Sequence, residues 1–256
     1  MKKLIVYDGS SIEPNPIKNF LDRNDLIGIQ RKYFINLYPF MNLKNKTPYF
    51  ITDFNFKHHQ DVKNIEIARK IKKIDKKNLS LIIFDSHTDM YQEGEGYYHF
   101  EKKVTMANWI AYMVSREYSN ISLIGVTDFT HSSRQRKGFE YGNLKNKVSF
   151  FLGENYKQEK DFKEYNGEIK LNNIKDFFDA SLMENSFISF DSDVSSDFTN
   201  TNSKFAGRLG NLGLEDCKKI INYIKENSNL IGFSFFATGF AEAFNEKDHN
   251  LNSLIN

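Results

Sequence analysis

The sequence has little cysteine and almost no excess of charge of either sign. One Cys among 256 residues, Cys217, excludes a disulfide framework and a thiolate metal cage within the chain. Lys and Arg number 35 and Asp and Glu number 33, so the formal net charge is only +2. That near-balance argues against a protein built mainly to coat nucleic acid or an anionic membrane, and we expect no nucleic-acid partner.

Long hydrophobic runs are also missing. The longest apolar stretch, residues 230–241, is interrupted by Gly, Ser and Thr and is too short to cross a bilayer. The apolar run near Met1 is much shorter than the hydrophobic region of a signal peptide. We therefore expect a soluble, cytoplasmic protein with no membrane partner.

Aromatic and aliphatic residues are plentiful, with 24 Phe and 13 Tyr, and they suffice to bury a sizeable core. Short apolar runs predict strands at residues 4–7, 49–53, 79–84, 121–126, 148–152, 187–190 and 231–236. Apolar residues at helical spacing predict helices at 62–74, 105–118 and 214–224, and we interpret Trp109 as a core residue. The alternation predicts an α/β fold around a mostly parallel sheet, with residues 155–180 as an insertion or surface excursion.

Asp85, His87 and Asp89 directly follow the predicted strand at 79–84. Their two-residue spacing points the side chains the same way in an extended chain. Open α/β sheets place their sites at the carboxyl ends of strands, so these side chains are expected to converge there. An isolated pattern of this kind could equally serve to cap a turn or helix.

Asp191 and Asp193 repeat the spacing after the predicted strand at 187–190. Two carboxylates held this close repel each other unless a proton or a cation neutralises them. Four Asp and one His are more ligands than one ion needs. Taken together, the two constellations therefore suggest a pair of metal ions about 3.5 Å apart, with bridging carboxylates.

His58 and His59 stand just before the helix predicted from residue 62. A His at a helix N-terminus is biased towards its neutral form, which is the form that binds metal. Adjacent His side chains cannot easily serve one ion from the same direction. We therefore expect only one of the two to be a ligand.

These motifs resemble those of the arginase (ureohydrolase) superfamily. Residues 85–89 (Asp-Ser-His-Thr-Asp) are similar to its Asp-Ala-His-x-Asp motif, and residues 189–193 (Ser-Phe-Asp-Ser-Asp) to its Ser-x-Asp-x-Asp motif. Residues 124–126 (Ile-Gly-Val) resemble the strand between the motifs, and residues 213–215 (Gly-Leu-Glu) resemble a segment that follows the second. The order agrees across residues 50–245.

Two segments depart from the family pattern. Residues 58–62 (His-His-Gln-Asp-Val) replace a Gly-Gly-Asp-His segment, and residues 195–197 (Ser-Ser-Asp) replace an Asp-Pro. Both departures resemble a divergent branch that includes the peptide arginases, which convert arginine to ornithine within peptides. In that branch a His-Gln-Glu/Asp-Val segment supplies the first ligand, and His59 is the residue that matches it.

The resemblance implies a single three-layer α/β/α domain over residues 1–256 that holds two Mn²⁺ ions. The implied ligands of one ion are His59, Asp85, Asp89 and Asp191. Those of the other are Asp85, His87, Asp191 and Asp193. Oxygen and imidazole ligands without a thiolate suit Mn²⁺.

The implied reaction is attack of a metal-bridging hydroxide on a guanidino carbon. Arginine, free or within a peptide, would give ornithine and urea. By the same resemblance, His99 would be the proton shuttle, and Glu242 would hold the guanidinium through two parallel hydrogen bonds. Relatives that form oligomers make an oligomer a further expectation.

Two other interpretations of these residues stay open. A deacetylase-type amidohydrolase on the related fold would need one Zn²⁺, which Asp85, His87 and Asp191 could hold. A non-catalytic binding protein on the same scaffold would keep its fold and its partner when Asp193 is replaced by Ala. The number of tightly bound ions tests the first interpretation, and the activity of that variant tests the second.

Overall fold

The computed structural model describes residues 3–8, 27–52, 55–90, 103–127, 147–152, 171–195, 197, 212–236 and 254. Nine strands in these residues form one sheet, and all neighbouring strands in it are parallel. They are β1 (Leu4–Tyr7), β2 (Ile27–Gln30), β3 (Pro48–Thr52), β4 (Leu79–Phe84), β5 (Ile121–Ile124), β6 (Val148–Leu152), β7 (Leu171–Asn173), β8 (Asn185–Asp191) and β9 (Asn229–Phe236). Their order across the sheet is β2-β1-β3-β9-β8-β4-β5-β6-β7.

Helices cover both faces of this sheet. The α-helices are α1 (Arg31–Leu37), α2 (Asp61–Lys72), α3 (Trp109–Ser115) and α4 (Leu214–Asn227). Shorter 3₁₀ segments are Tyr38–Phe40, Asn55–Gln60, Lys76–Asn78, Ile174–Asp179 and Ser192–Val194.

Successive strand residues point to opposite faces, and each face has its own apolar cluster. In β4, Leu81 and Ile83 belong to the cluster shared with α1, α2 and α3, whereas Ile82 and Phe84 belong to the one shared with α4. The predicted α/β fold class, with helices on both sides of a parallel sheet, is confirmed.

The structure adds elements that the sequence pattern did not predict. β2 and α1 were not expected, and β7 lies inside the stretch interpreted as an insertion. That interpretation is wrong for residues 171–180, because β7 extends the sheet and Ile174 and Phe177 of the next 3₁₀ segment are buried. None of the helices in the described segments is long and apolar enough to cross a membrane.

The pairing of β4 with β8 brings the two acidic motifs together. Phe84 is the register partner of Phe190, so the residues after each strand emerge side by side at the carboxyl edge of the sheet. Just beyond β5, Gly125 has a φ of +84°, and a Cβ there would lie 2.4 Å from Val194 Cγ2. Only glycine suits that position, and it allows the segment after β8 to approach closely.

Candidate metal centre

The first Asp of each motif is fixed in the same way. The backbone N–H of His87 donates to Asp85 Oδ1 at 2.7 Å, and the backbone N–H of Asp193 donates to Asp191 Oδ1 at 3.2 Å. Each carboxylate thus closes a tight turn over the residue two positions on. The Oδ2 atoms of Asp85 and Asp191 both lie near one imidazole nitrogen, at 3.2 and 3.6 Å from His58 Nδ1.

His58 lies at the centre of the first group of potential ligands. Besides those two carboxylates, its Nδ1 is 3.2 Å from Asp89 Oδ2. The imidazole is buried, and His58, Asp85 and Asp191 each offer a ligand atom within 4.8 Å of the others. One nitrogen therefore faces three carboxylates, which is the arrangement expected around a cation.

A second group of ligands adjoins the first. His87 Nδ1 lies 3.0 Å from Asp193 Oδ2 and 3.4 Å from Asp85 Oδ1. Asp85, His87 and Asp193 also offer ligand atoms within 4.8 Å of one another. The other oxygen of Asp193, Oδ1, accepts from the backbone N–H of Ser86 at 3.1 Å. Asp85 is common to both groups, so its carboxylate joins them into one cluster.

Polar and aromatic neighbours fix the orientation of the His58 imidazole. Its Nε2 lies 2.7 Å from Ser189 Oγ and 3.9 Å from Asp61 Oδ2. Its ring packs between Trp109 and Phe236, with centroid distances of 4.8 and 4.7 Å. Hydrogen bonding at the far nitrogen of a metal-binding imidazole fixes the ring and its tautomer. His58 has such a partner, and it directs Nδ1 at the carboxylates.

The charges of the cluster depend on one another. Burial disfavours the charged form of His58, but Asp85 and Asp89 outweigh it and raise the pKa of the imidazole well above its usual value. Burial likewise opposes charge on His87, whose pKa is raised well above its usual value by Asp193 and Asp85. Burial opposes charge on Asp85 too, yet the two imidazoles hold the pKa of this carboxyl well below its usual range.

Two other carboxyl groups of this cluster, those of Asp89 and Asp191, have raised pKa values. Burial and the neighbouring Asp85 raise the pKa of Asp89 to about 6. Burial, Asp193 and Asp85 raise the pKa of Asp191 well above its usual value. Four carboxyl groups packed this closely need compensating positive charge, which protons on the imidazoles or divalent cations can supply.

The donor set fits divalent cations. Its atoms are carboxylate oxygens and imidazole nitrogens without a thiolate, a combination that suits Mn²⁺. Asp85 Oδ2 is buried and accepts no hydrogen bond from the described part of the chain. A cation between His58 Nδ1 and this oxygen would satisfy an atom whose burial is otherwise costly.

Among the sequence-predicted metal ligands, the structure brings together Asp85, His87, Asp89, Asp191 and Asp193. His59 belongs to neither group found in the described residues, and its neighbour His58 lies in the centre instead. His58 is buried and His59 only partly buried, although the same 3₁₀ segment carries both. His99 and Glu242, the predicted catalytic residues, lie outside the described residues.

Helical spacing in the sequence does not favour His58 over His59. Steps of three and four back from the apolar Val62 lead to both residues. The burial of Asp61, from which a step of three leads to His58, is a finding of the structure. Sequence reasoning also missed Ser189 as a partner of His58 and the contact of Trp109 with the centre. The direction of a hydroxyl or an indole N–H has no signature in a single sequence.

No protein-family model matches the sequence, and no curated protein matches it. Solved structures with a similar fold include the formimidoylglutamase from Bacillus subtilis, at 14% identity and a TM-score of 0.57 over 100% of this chain and 85% of that one. The arginase from Entamoeba histolytica in complex with L-ornithine matches at 12% identity and a TM-score of 0.59, over 100% and 97% of the two chains.

A third similar structure is the formiminoglutamase from Trypanosoma cruzi with Mn²⁺. Its identity is 9% and its TM-score 0.57, with 99% of this chain and 91% of that chain covered. At identities this low the likeness establishes the fold, which is arginase-like. What the chain does depends on the residues of its own centre.

Proposed function

We propose that this chain is a single-domain, binuclear Mn²⁺-dependent hydrolase that cleaves a guanidino C–N bond. The substrate is arginine, free or within a peptide, and the products are ornithine and urea. The observation that carries the proposal is the pair of ligand groups that share Asp85 at the carboxyl edge of β4 and β8. The likeness to the formimidoylglutamase and arginase folds supports the same reaction class.

Two ion subsites follow from the contacts of the centre. Subsite one comprises His58, Asp85, Asp89 and Asp191. Subsite two comprises Asp85, His87 and Asp193. The Asp191 carboxylate of subsite one accepts from the backbone N–H of Asp193 at 3.2 Å, so it also lies next to subsite two. When bound, two divalent cations supply Lewis acidity and an activated water.

The chain's own residues orient the proposed ligands and leave one side of the centre accessible. The His58 side chain is only 2% exposed, whereas that of His87 is 24% exposed. Subsite one is therefore deep in the molecule, and a substrate reaches the centre from the side of His87. Ser189 holds His58 from behind, so that Nδ1 keeps its lone pair for an ion.

Two further roles in this proposal rest on the family resemblance alone. His99 would carry the proton to the leaving amine, and Glu242 would bind the guanidinium. Neither role is needed for the ions to bind.

The test is urea release by protein loaded with Mn²⁺. Arginine, agmatine, guanidinobutyrate and an arginine-containing peptide are the substrates to compare, and we expect urea from at least one of them. Asp85→Asn should abolish the release of urea, because it replaces the carboxylate shared by both subsites with a neutral amide. Glu215→Gln, on the exposed first turn of α4, is the matched control and should keep full activity.

Metal content decides between the outcomes. A chain that binds two Mn²⁺ ions and releases urea from none of the four substrates would refute the proposed reaction. One tightly bound Zn²⁺ with acetate release from an acetylated amine would instead favour a deacetylase. Unchanged binding of a partner by Asp193→Ala, with no turnover by the wild type, would favour a non-catalytic protein.

A further inference from the structure

Trp109, the first residue of α3, is the only tryptophan in the sequence. It is completely buried, and its indole Nε1–H donates to Asp89 Oδ2 at 2.8 Å. The same ring packs on His58 at 4.8 Å. Both interactions go to ligands of subsite one, so a single side chain contacts two of the four groups proposed to hold that ion.

Asp89 needs such support because its backbone is unusual. Its φ is +45°, in the left-handed region that non-glycine residues rarely adopt. The backbone N–H of Ile110 donates to the Asp89 carbonyl at 3.2 Å, next to the bond from Trp109. The start of α3 therefore holds Asp89 by its main chain and its side chain, although 20 residues separate Trp109 from Asp89.

An indole N–H is well suited to this position. It is neutral, it cannot accept a proton, and it has no lone pair with which to compete for the ion. A carboxylate oxygen has two lone pairs, so Oδ2 can accept the indole N–H and still face a cation. Groups that hydrogen-bond to a metal ligand without binding the ion themselves matter in this way, because their mutation typically lowers metal affinity by about 10–100-fold.

We infer that Trp109 is the positioning residue of subsite one, where its N–H orients the Asp89 carboxylate and its ring orients the His58 imidazole. The inference rests on the proposed function in one respect only, which is that ions occupy the two subsites. It adds that α3 controls the affinity of one ion and leaves the other unaffected.

Trp109→Phe is the test, because it keeps an aromatic ring against His58 and removes the donor to Asp89. In titrations of the metal-free chain with MnCl₂, we expect the affinity for one ion to fall about 10–100-fold and the other to stay unchanged. Calorimetry gives the two affinities, and electron paramagnetic resonance separates coupled pairs of ions from single ones. Equal affinities in the variant and the wild type would overturn the inference.

Tyr118→Phe is the matched control. Tyr118 is also a completely buried aromatic residue of the same apolar cluster, and its hydroxyl donates to Glu66 Oε1 at 2.6 Å. The variant loses a hydrogen-bond donor from an aromatic side chain of the same core, but this donor does not contact a proposed metal ligand. It should bind both Mn²⁺ ions as the wild type does, and an equal loss in the two variants would show a general structural effect and overturn the inference.

The fluorescence of the wild type gives a second readout that does not depend on how Trp109→Phe folds. Because Trp109 is the sole tryptophan, its emission should be quenched by MnCl₂ with the stoichiometry of one ion. His87→Ala should keep this response and His58→Ala should lose it. Constant emission from a wild-type chain that holds two Mn²⁺ ions overturns the inference alone, whereas a chain that binds no Mn²⁺ overturns the proposed function with it.

Discussion

His58 Nε2 lies 2.7 Å from the hydroxyl oxygen of Ser189, 131 residues further along the chain. Ser189 and Asp191 are two residues apart on β8 and therefore point to the same side of the sheet. One strand thus supplies both the hydroxyl behind the imidazole and a carboxylate in front of it. The position of β8 beside β4 is what turns His58 into a potential metal ligand.

Replacing each of the adjacent histidines in turn should give opposite results. His58→Ala removes the nitrogen that faces three carboxylates, and we expect it to lose one of two Mn²⁺ ions. The loss of affinity should exceed the roughly 10–100-fold that removal of an outer partner costs. His59→Ala should keep both ions. Metal content after gel filtration makes the comparison, and loss of an ion from His59→Ala alone would reverse our assignment.

Ser189→Ala should weaken the ion in subsite one without removing any ligand. The substitution leaves the buried His58 Nε2 without its hydroxyl partner, which should cost roughly 1–3 kcal/mol of stability and about tenfold or more in Mn²⁺ affinity. Ser80→Ala is the control, since the buried Ser80 hydroxyl accepts from the Met183 backbone N–H at 2.9 Å at the other end of β4. It should lose stability but keep the affinity for both ions, as measured by urea unfolding and calorimetry.

Gly125→Ala should lower both the free energy of unfolding and the Mn²⁺ affinity of subsite two. A Cβ on this residue would lie 2.4 Å from Val194 Cγ2, and its φ of +84° is unfavourable for alanine. Strain and overpacking together should cost roughly 2–4 kcal/mol. Val194 directly follows Asp193, so the displacement should also lower Mn²⁺ affinity.

Gly213→Ala serves as the comparison for that prediction. Its added Cβ would meet nothing closer than Asp216 Oδ2 at 3.7 Å. Urea unfolding should therefore show a much smaller loss of stability than in Gly125→Ala. Similar losses in the two variants would contradict the close approach at Gly125.

The Glu66 carboxyl group should make the free energy of unfolding depend on pH. Arg69 and the Tyr118 hydroxyl donate to its carboxylate at 2.8 and 2.6 Å, and although burial opposes the charge, these donors lower the pKa of Glu66. A carboxyl group with a lowered pKa in the fold stabilises above its unfolded pKa, and this contribution is lost as the pH falls through the folded pKa.

The wild type should therefore lose more stability than Glu66→Gln as the pH falls from about 5, just above the ordinary pKa of Glu, to about 3. Glu66 is partly exposed, so solvent screening keeps the difference at about 1 kcal/mol or less. Melting temperatures measured across this range provide the check. Parallel curves for the two proteins would contradict a stabilising role of the ionised carboxylate.

Buried strands of this fold were predictable, and exposed ones were not. A parallel strand covered on both faces is a continuous apolar run, and Leu79–Phe84 has that pattern. β2 is four residues long and largely exposed, and β7 has only three residues, so neither gives a hydrophobic signal above its surroundings. The order of the strands depends on long-range pairing, which periodicity does not contain.

The candidate site was predictable where it depends on strand ends and not where it depends on side-chain direction. The rule that parallel strands end at one edge brought Asp85 and Asp191 together correctly. The position of His58, and not His59, among the carboxylates depends on side-chain direction, which residue spacing does not contain. Trp109 was correctly interpreted as a core residue, but its bond to Asp89 depends on the direction of one N–H group.

The strand order also determines when this centre can form. β9, residues 229–236, lies between β3 and β8, so it joins the amino-terminal strands to the rest of the sheet. On a ribosome, β1, β2, β3 and β4 all emerge long before the two strands that unite them. Contacts of such long range slow folding, and during synthesis the growing polypeptide exposes His58 and Asp85 well before Asp191 exists. The full set of potential ligands therefore exists only after β8 has been synthesised.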